Sequence, residues 1–83
     1  MFQVVLRKSA QKELNNLAEK DKANVSAALL SLSQNPFIGK KLSGELAGSY
    51  SYRVWPFRII YDIYKKQLMI HVLRIAHRQG VYK

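Results

Sequence analysis

The run Tyr52-Arg53-Val54-Trp55-Pro56-Phe57-Arg58-Ile59-Ile60-Tyr61 constrains the fold of this 83-residue chain more than any other stretch. It reads as two strand segments folded about a Trp-Pro turn. From Phe57 to Tyr64 every residue except Arg58 and Asp62 is β-branched or aromatic, and such residues suit a pleated, half-buried surface. Alternation along a strand puts Phe57, Ile59, Tyr61 and Ile63 on one face, and Arg58, Ile60, Asp62 and Tyr64 on the other. A further strand, Leu68 to Ile75, follows the turn Lys65-Lys66-Gln67. Its pattern does not choose a core side, because Leu68, Ile70 and Val72 share a face with Arg74, while Met69, Leu73 and Ile75 share one with His71. His77, Arg78 and Tyr82 come just past this strand's end, where a sheet can present polar groups to a partner.

Upstream, Phe2 to Arg7 is a short apolar run that reads as a first strand. Ser9 then offers a hydroxyl to the first turn of a helix as its N-cap. Ala10, Leu14, Leu17 and Ala18 repeat at helical spacing and give one apolar stripe. The Lys20-Asp21-Lys22 cluster interrupts the pattern, and a second stripe runs through Val25, Ala28, Leu29 and Leu32, with Asp21 as its expected cap. Asn35-Pro36 ends this helix, since the residue before proline is pushed out of the helical region. Residues 36–48 read as a loop carrying Lys40-Lys41. The expected order is β-α-α-β-β-β, a single α+β domain over residues 1–83, with an antiparallel sheet and a two-helix hairpin packed on one face.

Charge narrows the partners. Fourteen Lys and Arg against five Asp and Glu give +9, and the excess is uneven: residues 1–35 hold five basic and three acidic groups, residues 36–83 nine and two. A one-sided basic surface favours a polyanion, most often nucleic acid, or an acidic protein; a solvated surface without a ligand is the plain alternative. The chain has no cysteine, so neither disulfides nor thiolate metal sites are available, which agrees with a reducing cytoplasm. No apolar run approaches the roughly 20 residues of a membrane span, and the start of the chain does not read as a signal peptide. There is no phosphate-binding glycine loop, HExxH or GxSxG motif. Two histidines and five acids offer little to a two-metal nuclease. No metal or other cofactor is expected.

The element order, the run Tyr52-Arg53-Val54…Phe57-Arg58-Ile59-Ile60-Tyr61, the lead-in Lys41-Leu42-Ser43-Gly44 and the ending Leu73-Arg74-Ile75-Ala76-His77-Arg78-Gln79-Gly80-Val81-Tyr82 resemble the RelE/ParE superfamily of type II toxin–antitoxin toxins. The resemblance covers essentially the whole chain. It implies the RelE-like microbial RNase fold, a cytoplasmic location and a cognate antitoxin as partner, with operator DNA reached only through that antitoxin and no membrane partner. In the RelE-like branch, which the ending resembles more, it implies a ribosome-dependent endoribonuclease that cuts mRNA in the A site and arrests translation. In the ParE-like branch it implies inhibition of DNA gyrase without RNA cleavage. A member without catalysis would act only as an antitoxin-binding corepressor. By position, Arg53 falls on a basic residue of the family's strand 2, Arg58 on the arginine of its aromatic-Arg-x-x-Tyr run, Arg78 on the arginine after the last strand, and Tyr82 on the late tyrosine. His77 stands where a basic residue is common. Ser51 departs from the pattern, because a basic residue is expected there.

RNA cleavage without a metal needs a base for the 2′-hydroxyl, cations for the phosphorane, an acid for the 5′-oxygen and in-line geometry. Arginine suits the second of these roles, since its planar fork holds two phosphate oxygens and stays charged. Arg58, Arg78 and Arg53 are the expected cations. His77, as an imidazole, is the expected base or acid, and Tyr82 is expected to stack on a base or move a proton. Tyr52 and Trp55, beside Arg53, offer stacking surfaces. Lys40, Lys41, Lys65 and Lys66 are expected to neutralise RNA phosphates. His71, mid-strand among apolar residues, is read as structural.

Overall fold

The aromatic and β-branched runs form strands. In the structure, a computed structural model that describes residues 1–77, β3 (Tyr50–Val54) and β4 (Phe57–Tyr64) make a hairpin through Trp55-Pro56, and β5 (Met69–His77) returns along β4. β1 (Gln3–Leu6) lies beyond β5 and β2 (Lys40–Lys41) beyond β3, giving the spatial order β1-β5-β4-β3-β2. The α+β architecture is as expected, with two amendments. The sheet is mixed rather than antiparallel, because β1 pairs parallel with β5; β1 reaches the rest through helices, and a crossover of that length permits parallel pairing where a tight hairpin cannot. In addition, Lys40-Lys41, expected in a loop, pairs with Ser51 and Tyr50 as a short edge strand.

Two helices, α1 (Lys8–Asn15) and α2 (Glu19–Gln34), cover one face. Ala10 and Leu14 of α1, and Val25, Ala28, Leu29 and Leu32 of α2, meet Ile59, Tyr61, Ile70, Val72 and Ile75 in one core. The break between helices falls at residues 16–18 rather than at Lys20-Asp21-Lys22, so Leu17 packs against the core from the connection. Neither expected cap holds. Arg7 and Ala18 occupy the N-cap positions, Asp21 sits in the first turn of α2, and Ser9 lies inside α1. An acid in that turn still complements the helix dipole. As expected, α2 stops at Asn35-Pro36, where the Asn35 side chain accepts from the Phe37 amide at 3.1 Å.

Ser9 bonds elsewhere. Its hydroxyl donates to the Leu73 carbonyl at 3.1 Å, and Glu13, one turn on, accepts from the Ile75 amide at 2.8 Å and from Arg74 Nε at 2.9 Å. These bonds grip an irregularity in β5. Ile60 is paired with Arg74 and Tyr61 with Val72, which leaves Leu73 as an extra residue. A bulge of this kind shifts the alternation by one. Ile70 and Val72 before it and Ile75 after it therefore all enter the core, and the two faces left open by the sequence each contribute a part. No helix among the described residues is long and apolar enough to cross a membrane.

Candidate functional site

Strand alternation and the observed register place the side of the sheet turned away from the helices in rows. The pairs Arg53·Arg58 and Ser51·Ile60 share the face that points away from Ile59 and Tyr61. Ala76 adjoins Arg58, Arg74 adjoins Ile60, and Lys40 adjoins Ser51 from the outer strand. The two arginines stand directly opposite each other, with Cβ atoms about 4.5–5.5 Å apart in such pairs. Like charges in this position destabilise a sheet, and an anion laid across both reverses that effect.

Because β2 is only two residues long, the chain leaves β3 before Tyr52, and an open groove of about 370 Å³ forms at that edge, lined by Ile38, Lys40, Ser51, Tyr52, Arg53 and Arg58. Among the described residues, three cations and no acid line it. Two local features shape its outer wall. Pro36 opens a 3-10 turn over Pro36–Ile38, and the buried Tyr61 hydroxyl donates to the Pro36 carbonyl at 2.7 Å. Gly39 lets the chain pass close by: a Cβ there would lie 2.1 Å from the Tyr61 hydroxyl and 3.1 Å from the Ser51 carbonyl. Burial pushes the Tyr61 phenol up to about 12, with Tyr50 and Tyr52 adding to the rise and the Gly39 backbone opposing it. Tyr61 is therefore a neutral donor that fixes the wall.

The groove gathers four of the sequence-predicted residues, Arg58, Arg53, Lys40 and Tyr52, and adds Ile38 and Ser51. Lys40 pairs with Ser51, so a lysine adjoins the one position where the expected basic residue is missing. Tyr52 is half-buried and packs against the core, so only part of it is available as a stacking surface. Trp55 is 63% exposed at the tip of the β3–β4 hairpin, the end of the sheet that carries Arg53 and Arg58. His77, the last described residue, pairs with Phe57, and their rings meet edge to face at 5.6 Å. Alternation puts that pair on the face opposite Arg58. Lys41 alternates away from Lys40. Lys65 and Lys66 occupy the β4–β5 turn at the other end of the sheet, where Lys65 Nζ lies 5.5 Å from the centre of the Phe37 ring. Arg78 and Tyr82 lie outside the described residues.

Sequence reasoning passed over one group on this face. Asp62 lies on the same side of β4 as Arg58, paired with His71 of β5. It accepts a hydrogen bond from the Ser49 hydroxyl. The rings of His71 and Tyr64 meet at 4.5 Å beside it. The available signal was an acid two residues past Ile60, one of only two in the basic half of the chain.

The family model for the ParE toxin of the type II toxin–antitoxin system parDE matches residues 4–82. The chain is similar to Toxin RelG of Mycobacterium tuberculosis, 34% identical over 77 residues that cover 90% of this chain and 88% of that protein. Among solved structures, it resembles a chain of the RelBE2 toxin–antitoxin complex of M. tuberculosis with a TM-score of 0.86 and 32% identity, covering 93% of this chain and 98% of that one. It also resembles a chain of the archaeal RelE–RelB complex of Pyrococcus horikoshii, with a TM-score of 0.81 and 23% identity over 96% of this chain and 98% of that one. The second likeness is one of fold alone.

Proposed function

This chain belongs to the RelE/ParE superfamily of type II toxin–antitoxin toxins, and we propose that it acts as a ribosome-dependent endoribonuclease that cuts mRNA in the A site and is neutralised by a cognate antitoxin. The observation that carries the reading is the Arg53·Arg58 pair in a groove shared with Lys40. The antitoxin is supported by likeness to a chain solved in the RelBE2 toxin–antitoxin complex.

The proposed reaction is an in-line displacement. The 2′-oxygen forms a bond to the adjacent phosphorus, the bond from phosphorus to the 5′-oxygen breaks, and a cyclic phosphate and a free 5′-hydroxyl result. One proton leaves the 2′-hydroxyl for a base and another reaches the departing oxygen from an acid. Arg53 and Arg58 suit the charge that grows on the phosphorane, since guanidinium forks hold two oxygens each. Lys40 adds a third cation and stands where Ser51 brings none. Proton transfer is assigned to Tyr82 and further charge stabilisation to Arg78, on the sequence resemblance; His77, whose ring meets Phe57 on the opposite face, is not brought to the groove.

The test is primer extension on a reporter mRNA in a purified translation reaction, with and without ribosomes. Expected are new 5′ ends within A-site codons that depend on ribosomes. Arg58→Ala should slow their appearance about 10²–10³-fold, the usual cost of one oxyanion donor. Intact message overturns the reading. The matching ParE family model favours a second one, gyrase inhibition, which the same preparation tests in a supercoiling assay.

A further inference from the structure

Of the residues in the five strands, Asp62 alone is acidic. It lies on the same face as Arg58, four residues along β4, or about 14 Å at the usual rise. A carboxylate near a phosphate groove weakens phosphate binding, so its place needs a reason. Bonding Ser49 uses one lone pair of Oδ1, whereas a carboxylate offers about four acceptor sites. Ser49 thus fixes the orientation of the group and leaves most of its capacity unused. Asp62 is half-buried, and beside it Tyr64 is 39% exposed, with its ring against His71. An aromatic pair next to an oriented acceptor is the arrangement that holds an unstacked base by its face and reads it by its edge.

We propose that Asp62 is a specificity-determining residue that selects guanine in single-stranded RNA laid along this face, with Tyr64 and His71 as the stacking platform. The proposal rests on the RNA reading above and deepens it. Guanine fits because its Watson–Crick edge carries two neighbouring donors, N1–H and the 2-amino group, which match two carboxylate oxygens. Adenine and cytosine present one amino donor beside an acceptor that the carboxylate repels, and uracil presents one imino donor between two carbonyls. The separation from Arg58, about 14 Å, leaves room for about two extended nucleotides between the phosphate held there and the base read at Asp62.

The experiment is fluorescence anisotropy at low salt with labelled oligouridylate heptamers carrying one central guanine, inosine or adenine. Inosine lacks only the 2-amino group. The wild-type chain should prefer guanine to inosine about tenfold, within the usual range for a bidentate base contact. Asp62→Asn, which keeps the shape and can still bond Ser49, should bring that ratio to about one. Arg58→Ala should weaken all three probes alike and leave the ratio in place. Binding without preference in the wild type, or a preference that survives Asp62→Asn, overturns this inference alone and returns Asp62 to the role of anchoring Ser49. No binding of any heptamer also overturns the inference, whereas the ribosome-dependent cleavage is decided by the primer-extension assay alone. Equal unfolding midpoints for wild type and Asp62→Asn establish that a lost preference is not lost structure.

Discussion

Replacing Tyr61 with phenylalanine removes one oxygen from the centre of the molecule and tests how the groove is held. The side chain is fully buried, and its hydroxyl donates to the Pro36 carbonyl at 2.7 Å. Pro36 is itself buried, so the variant leaves a carbonyl with neither water nor phenol. An unpaired buried group costs about 1–3 kcal/mol, which in a domain of this size lowers Tm by roughly 4–8 °C per kcal/mol. The pH dependence gives an independent handle. The phenol is raised from 10.0 to about 12, chiefly by burial. A raised folded value favours the neutral form in the folded state, so this stability is complete below pH 10 and is lost as pH climbs through about 12. A rise of that size corresponds to ~2–3 kcal/mol. Tyr61→Phe should therefore be less stable than wild type at neutral pH, and the two should converge in alkali, because only wild type loses this contribution. Urea unfolding followed by circular dichroism from neutral pH to about pH 11.5 measures both. A difference that stays constant across the range would refute the burial argument for the phenol. A difference under about 0.5 kcal/mol at neutral pH would refute the bond to Pro36 as the fastening of the groove wall.

Three further outcomes follow from particular contacts. Gly39→Ala drives a methyl into the Tyr61 hydroxyl and the Ser51 carbonyl; neither can retreat, so unfolding measurements should show a loss of about 1–3 kcal/mol, as overpacked sites do. Glu13→Ala removes the acceptor of the Ile75 amide as well as the partner of Arg74 and should cost about 1.5–3 kcal/mol. Arg74→Ala, whose side chain is 53% exposed, should cost only ~0–1 kcal/mol; equal losses would show that the backbone bond contributes nothing. In titrations of single-stranded RNA binding against salt, Lys40→Ala should reduce the log–log slope by about 0.7. Lys41→Ala, at a position that alternates to the other face of the sheet, should not change it, and a reduction there would move the binding surface off the Arg53·Arg58 face.

Much of this molecule follows from local chemistry. The alternation from Phe57 to Tyr64 determined a strand with Ile59 and Tyr61 inward and Arg58 outward, because a pleat reverses side chains residue by residue. The stripes through Ala10, Leu14, Val25, Ala28, Leu29 and Leu32 determined two amphipathic helices, and Asn35-Pro36 determined where the second ends. The motif resemblance pointed to the superfamily to which the chain belongs, and the basic half of the chain pointed to Arg53, Arg58 and Lys40. What only the tertiary structure decided depends on contacts between segments remote in sequence. The parallel pairing of β1 with β5 follows from the packing of α1 and α2. The bulge at Leu73 exists because Ser9 and Glu13, more than 60 residues upstream, take up backbone groups that the ladder leaves unpaired. Ser9 thus left the cap for which its hydroxyl suited it. The faces of a strand are legible in its own sequence, but the register of its neighbours is not. Only the register set Arg53 against Arg58, put Lys40 beside Ser51, turned His77 toward Phe57, and placed Asp62 between Ser49 and His71.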